Sequence, residues 1–138
     1  MSTIKKKELP SIVLVVDDNR TTVMMLEELL VNQGYKVLTA VDGASARKMI
    51  LKYHRQLSAI LLDRMMPDID GLELARWINR SPDITKIPII VQTSSEEPEQ
   101  IKEGIEAGVF YYLTKPIQED ILNSIVKSAI KESKQQKI

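Results

Sequence analysis

Five polar residues stand where short apolar runs of this chain end. Asp17 and Asp18 follow Ile12 to Val16, Asp63 follows Ala59 to Leu62, Thr93 comes just after the run that closes at Val91, and Lys115 follows Phe110 to Thr114. Taken singly, each has an ordinary explanation, because Asp and Thr often cap helices and Lys-Pro often ends a strand. Three carboxylates converging on one rim would repel one another, however, and a hard cation with oxygen ligands is the economical way to hold them together. Magnesium suits the set best: it prefers oxygen, keeps some waters and is commonly completed by phosphate oxygens. A single histidine, His54, and no cysteine leave no cluster for zinc. Carboxylates, a hydroxyl and a lysine at strand exits are the polar residues that phosphoryl chemistry wants.

Those placements require strands. Ile12 to Val16, Ala59 to Leu62 and Ile87 to Val91, the last interrupted by Pro88, are almost wholly apolar and read as strands covered on both faces. Lys36 to Val41, of mixed polarity, and the aromatic-rich Phe110 to Thr114 fit two strands nearer the sheet edges. Between them lie single apolar stripes at helical spacing: Val23, Leu26, Leu29 and Leu30, then Ala46, Met49 and Ile50, then Leu72, Ala75 and Ile78. Ile101 and Ile105 mark a shorter fourth helix with Pro98 in its first turn, Gly104 weakening it and Gly108 at its exit. A long repeat from Ile117 to Ile130 marks the last helix. Gly34 suits the end of the first helix, and Asp42 and Asp70 the N-caps of the second and third.

Strands alternating with helices imply right-handed crossovers and an α/β, doubly wound, five-stranded parallel sheet with helices on both faces. In such a sheet the functional crevice lies beyond the carboxyl ends of the strands, where the strand order reverses. The expected organisation is a flexible N-terminal tail over 1–10, one domain over 11–131, and a polar C-terminal tail over 132–138 that frays from the last helix.

The 138 residues suffice for one core. Nineteen basic and nineteen acidic residues balance, so nothing pulls the chain as a whole toward nucleic acid or an anionic membrane, and no direct nucleic-acid contact or membrane insertion is expected. Lys5, Lys6 and Lys7 read as a solvated tail, and with no signal-like or bilayer-length apolar run the expected location is cytoplasmic. His54 reads as a solvated helix-end residue, and Trp77, beside its helix's stripe, as partly buried without a special role.

The chain resembles response-regulator receiver domains, on four ordered motifs: Val16-Asp17-Asp18-Asn19, the run from Asp63 through Arg64, Met65, Met66 and Pro67 to Gly71, Thr93-Ser94, and Ala107-Gly108 leading to Tyr112-Leu113-Thr114-Lys115-Pro116. The resemblance spans nearly the whole chain and implies the flavodoxin-like (βα)5 fold. By it, Asp63 is the phosphoacceptor, Asp17 and Asp18 hold magnesium directly or through water, and the Met65 backbone carbonyl is a further ligand. Lys115 then supplies a second positive contact to the phosphoryl group, Thr93 its hydroxyl, and Tyr112 the aromatic switch that repacks when Thr93 moves. A cis Lys115-Pro116 bond is implied as well.

The donor implied is a histidine kinase or a histidine phosphotransfer protein. The output is a downstream protein target, or homodimerisation, through the face of the fourth helix, fifth strand and fifth helix. Arg64 stands where the family more often has an apolar residue, and with Met65 and Ser95 near the site it bears on acyl-phosphate lifetime. Phe110 and Tyr111 form either an exposed apolar patch or better-buried strand residues. One rival is a magnesium-dependent phosphatase with an aspartyl nucleophile, but that class tends to Asp-x-Asp after one strand, whereas Asp17 and Asp18 are adjacent. A flavin-binding electron carrier would want a hydroxyl- and glycine-rich phosphate loop where Asp17-Asp18-Asn19-Arg20 stands.

Overall fold

A computed structural model describes residues 9–136 except 85, 95 and 96. Strands and helices alternate: β1 (Ile12–Val16), α1 (Arg20–Asn32), β2 (Lys36–Ala40), α2 (Gly43–Tyr53), β3 (Leu57–Asp63), α3 (Gly71–Arg80), β4 (Ile89–Thr93), α4 (Pro98–Glu106), β5 (Tyr111–Thr114) and α5 (Glu119–Gln136). The strands form one sheet in the order β2-β1-β3-β4-β5, every neighbour parallel. The chain runs from β1 outward to β2 and then returns to place β3 on the other side of β1, so the order reverses between β1 and β3. Val16 is in register with Leu62 there, which puts the residues that follow them, Asp17 and Asp63, side by side.

Strand alternation divides the core into two layers. Leu14, Val16, Ile60, Leu62, Ile89 and Val91 face α2 and α3, while Val13, Val15, Ala59, Leu61, Ile90 and Leu113 face α1 and α5. Each such leucine, isoleucine or valine contributes roughly 1.5–3 kcal/mol by leaving water. The central strands are apolar on both faces because helices cover both.

The helix starts are held by side chains that take up orphan backbone donors. Asn19 accepts from Thr22 N at 3.0 Å, Asp42 from Ser45 N at 2.7 Å in a reciprocal capping box, and Asp70 from Leu72 N at 2.9 Å. Gly34 and Gly108 adopt φ of 92° and 80° at the exits of α1 and α4, a conformation that favours glycine.

Several boundaries differ from the sequence expectation. β4 opens at Ile89 rather than Ile87, since Pro88 has no N–H for the ladder and only its carbonyl is used, accepting from Ile60 N at 3.0 Å. β5 opens at Tyr111, although Phe110 N still donates to Ile89 O at 2.7 Å. Phe110 and Tyr111 are both exposed. The last helix runs to Gln136, past residue 132 where the polar tail was expected to begin; Ser133 falls one turn beyond Ile130 on the buried face, and Lys, Glu and Gln are good helix formers. Ile101 and Ile105, which marked α4 in the sequence, point outward, and Gly104 is the residue α4 buries. Trp77 is partly buried, with the Arg47 guanidinium 5.4 Å from its ring centroid. Among the described residues no helix is long and apolar enough to cross a membrane.

Candidate functional site

The carboxyl end of β1 delivers Asp17, which is 0% exposed and ties its Oδ1 to Asn19 N at 2.9 Å, just where α1 is about to start. Asp18 beside it is exposed. β3 ends in Asp63, 4% exposed, whose Oδ1 accepts from Met65 N at 3.3 Å. One carboxylate oxygen from each of Asp17, Asp18 and Asp63 lies within 4.8 Å of the other two. From β5, Lys115 brings its Nζ to 3.5 Å from both Asp17 Oδ2 and Asp63 Oδ1. Its backbone N–H is anchored to Thr93 O at 2.7 Å, next to a cis Lys115-Pro116 bond.

Electrostatics follow from this crowding. Two carboxylates within 4.8 Å of each other repel by on the order of 3 kcal/mol or more at the effective dielectric typical of proteins. Burial first, and then the Asp17 charge, push the Asp63 carboxyl up from 3.8 to about 6, against the opposing pull of Lys115 and the Met65 N–H. Among the described residues, three carboxylates face one lysine, a deficit of positive charge that a divalent oxygen-seeking cation would fill, so the residues present fit magnesium.

The loop after β3 is pinned from several directions. Met65 and Asp70 form an isolated antiparallel bridge, and Gly71 N donates to Arg64 O at 2.8 Å. Any Cβ on Gly71 would run into the Asp63 carbonyl, so this turn needs glycine. Asp68 accepts from Gly43 N at 2.9 Å and Ala44 N at 3.1 Å, and thereby caps the start of α2 from a distant segment. The Met65 side chain is exposed.

Thr93 is buried at the end of β4, one residue past Gln92, which is in register with Asp63. Tyr112 on β5 is half-buried, and its hydroxyl accepts from Arg64 Nη1 at 2.9 Å. The structure thus brings Asp17, Asp18, Asp63 and Lys115 together, with Thr93 at the adjoining strand end and Tyr112 farther along β5. Ser95 lies outside the described residues, as do Lys5 to Lys7.

Two residues carry more than the sequence signalled. Gln92 is fully buried with its Nε2 3.5 Å from Asp17 Oδ2, a long contact that places an amide dipole behind the carboxylates. Arg64 is 6% exposed and bonds across to Tyr112 and α4. Burial disfavours its charge, but the Tyr112 hydroxyl with Asp70 and Glu103 outweighs that and raises its pKa, so it stays a cation. A buried arginine inside a motif of mixed polarity has no local pattern to betray it.

The family model for the response regulator receiver domain matches residues 13–127. The chain belongs to the response regulator receiver family. The transcriptional regulatory protein AfsQ1 of Streptomyces coelicolor is 31% identical over 128 residues, covering 93% of this chain, and the chain spans 54% of that regulator's length. Among solved structures, the chemotaxis response regulator CheY4 of Vibrio cholerae superposes with a TM-score of 0.80 at 28% identity, over 88% of this chain and 99% of that one. The receiver domain of sensor histidine kinase PA1611 from Pseudomonas aeruginosa, which has a magnesium ion coordinated in its active-site cleft, gives 0.76 at 29% identity over 89% and 99%. The five-stranded parallel sheet is the flavodoxin-like arrangement of these receivers. Receivers are regulatory domains of two-component systems, and the phosphatase alternative is not favoured.

Proposed function

We propose that this receiver is a switch that accepts a phosphoryl group on Asp63 in a magnesium-dependent reaction. The observation that carries the reading is the meeting of three carboxylates and Lys115 at the point where strand order reverses. Asp17, Asp18 and Asp63, with the Met65 carbonyl, would hold the magnesium ion, as the cleft of the PA1611 receiver holds one. Bound there, it would offset the charge that spreads over the phosphoryl oxygens during in-line transfer.

The chain's own residues account for the rest. An ionised Asp63 oxygen attacks the phosphorus of a phosphohistidine, the P–N bond breaks, the imidazole leaves, and the product is an acyl phosphate on Asp63. Lys115, already 3.5 Å from Asp63 Oδ1, contacts the transferred group. Thr93 offers its hydroxyl to a further oxygen from the end of β4. Burial of Asp17 and Asp63 strengthens these electrostatic contacts, because fewer water dipoles compete with them.

The donor is a histidine kinase or histidine phosphotransfer protein. The output is a change in protein binding at the face of α4, β5 and α5, where Ile101, Ile105, Phe110, Tyr111 and Ile121 are exposed. The test is intact mass after incubation with magnesium and a small acyl phosphate. One phosphoryl adduct is expected on the wild type and none on Asp63→Asn. An adduct that persists undiminished in the variant would sink the assignment.

A further inference from the structure

Arg64 directly follows Asp63, and its backbone is held on two sides: its N–H donates to Gln92 O at 3.0 Å and its carbonyl accepts from Gly71 N at 2.8 Å. Its buried side chain reaches three other elements. Nη1 donates to the Tyr112 hydroxyl on β5 at 2.9 Å and to the Gln100 carbonyl on α4 at 3.3 Å; Nη2 meets Glu103 Oε2 on α4 at 3.1 Å, and Nε lies 3.7 Å from Asp70 at the start of α3. α4 buries Gly104, whose missing Cβ makes room for the Tyr112 ring, and Asn79 Nδ2 holds the Ala107 carbonyl at 2.7 Å just past its end. A buried guanidinium stripped of its acceptors is costly, so Arg64, Tyr112 and α4 are constrained to move as a set.

We propose that Arg64 is the positioning residue through which a change at Asp63 reaches Tyr112 and α4. The inference deepens the phosphoacceptor reading and rests on it. Met65 N, 3.3 Å from Asp63 Oδ1, shows how closely the segment after β3 follows that carboxylate. A phosphoryl group placed there gives this N–H a new acceptor and draws the segment with it. The planar, rigid guanidinium fork then carries the displacement to three hydrogen-bond acceptors at once, with Asp70 as a further ion-pair partner, which a flexible lysine or an apolar side chain could not do. The Tyr112 hydroxyl is engaged by Arg64, so the aromatic residue answers to β3 through this bond.

The test is amide exchange of residues 97–107 in the full chain, with and without magnesium plus beryllofluoride as phosphoryl mimic, while mimic affinity is titrated separately. In wild type the mimic is expected to change exchange in α4 by roughly fivefold or more, the usual lower bound for coupled sites. Arg64→Met is expected to bind the mimic but to lose most of the α4 response. A full α4 response in Arg64→Met, or loss of mimic binding by that variant, overturns the proposal; the latter would put Arg64 in the pocket's own chemistry. If Arg64→Met does not fold, Glu103→Gln takes its place, with a response at least halved expected and an unaltered one overturning it. Failure of wild type to bind the mimic would instead remove the phosphoacceptor reading, and this inference with it.

Discussion

Replacing Asp63 with asparagine should stabilise the metal-free protein, and the gain should depend on pH in a defined direction. Burial and the Asp17 charge raise the Asp63 pKa from 3.8 to about 6. The folded state therefore holds this proton more tightly than the unfolded chain does. Its contribution is fully present below about pH 4, is lost as pH rises through about 6, and is absent above. The difference between 3.8 and about 6 corresponds to about 3 kcal/mol. Asparagine keeps the shape and an oxygen for the Met65 N–H but gives up the Lys115 contact, so the net change should be about 1–3 kcal/mol. For a domain of this size that is roughly 3–10 °C in melting temperature. The assay is urea denaturation of both proteins in chelator at several pH values from 4 to 7.5, read as the difference between them so that other carboxylates cancel. The variant should gain on the wild type as pH rises from 4 to 7 and then hold a constant lead. Adding magnesium should close the gap by stabilising the wild type through linkage. A difference independent of pH, or a variant less stable than wild type at pH 7.5, would refute the electrostatic account of the cluster.

Lys115→Ala removes a cation 3.5 Å from both Asp17 and Asp63; the Asp63 titration followed by NMR should move further upward and phosphorylation by a small acyl phosphate should slow at least about tenfold, an order typical of lost electrostatic contacts. Asp18→Ala, at an exposed position, should leave stability in chelator within about 0.5 kcal/mol while weakening magnesium affinity in a direct titration. Gly104→Ala would normally gain about 1 kcal/mol of helix propensity, but its Cβ would lie 2.8 Å from the Tyr112 ring. Denaturation should show no gain in the wild-type background and should recover it in Tyr112→Ala.

Much of the site was legible because its signals are local. A strand covered on both faces must be a nearly continuous apolar run, so the residue that ends the run is identifiable, and Asp17 and Asp63 follow from that rule, while Lys115 follows an aromatic-rich strand at the sheet edge. Caps are equally local: Asp42 and Asp70 bond to backbone two or three residues on, within reach of any sequence reading. Family motifs pointed to the roles proposed for them, and the family model covers residues 13–127, the stretch that holds those motifs. What tertiary structure alone decided are the contacts made between distant segments. Arg64 meets Glu103 and Tyr112 across 39 and 48 positions, and Asp68 caps α2 from 25 positions away. Gly104, a helix weakener by propensity, is the residue that seats α4 over the Tyr112 ring, while Ile101 and Ile105, apolar by type, face outward. Propensity and periodicity describe one element and its immediate flanks, whereas a buried cation or a glycine seat is defined by what another element presents to it, and only packing brings the two together.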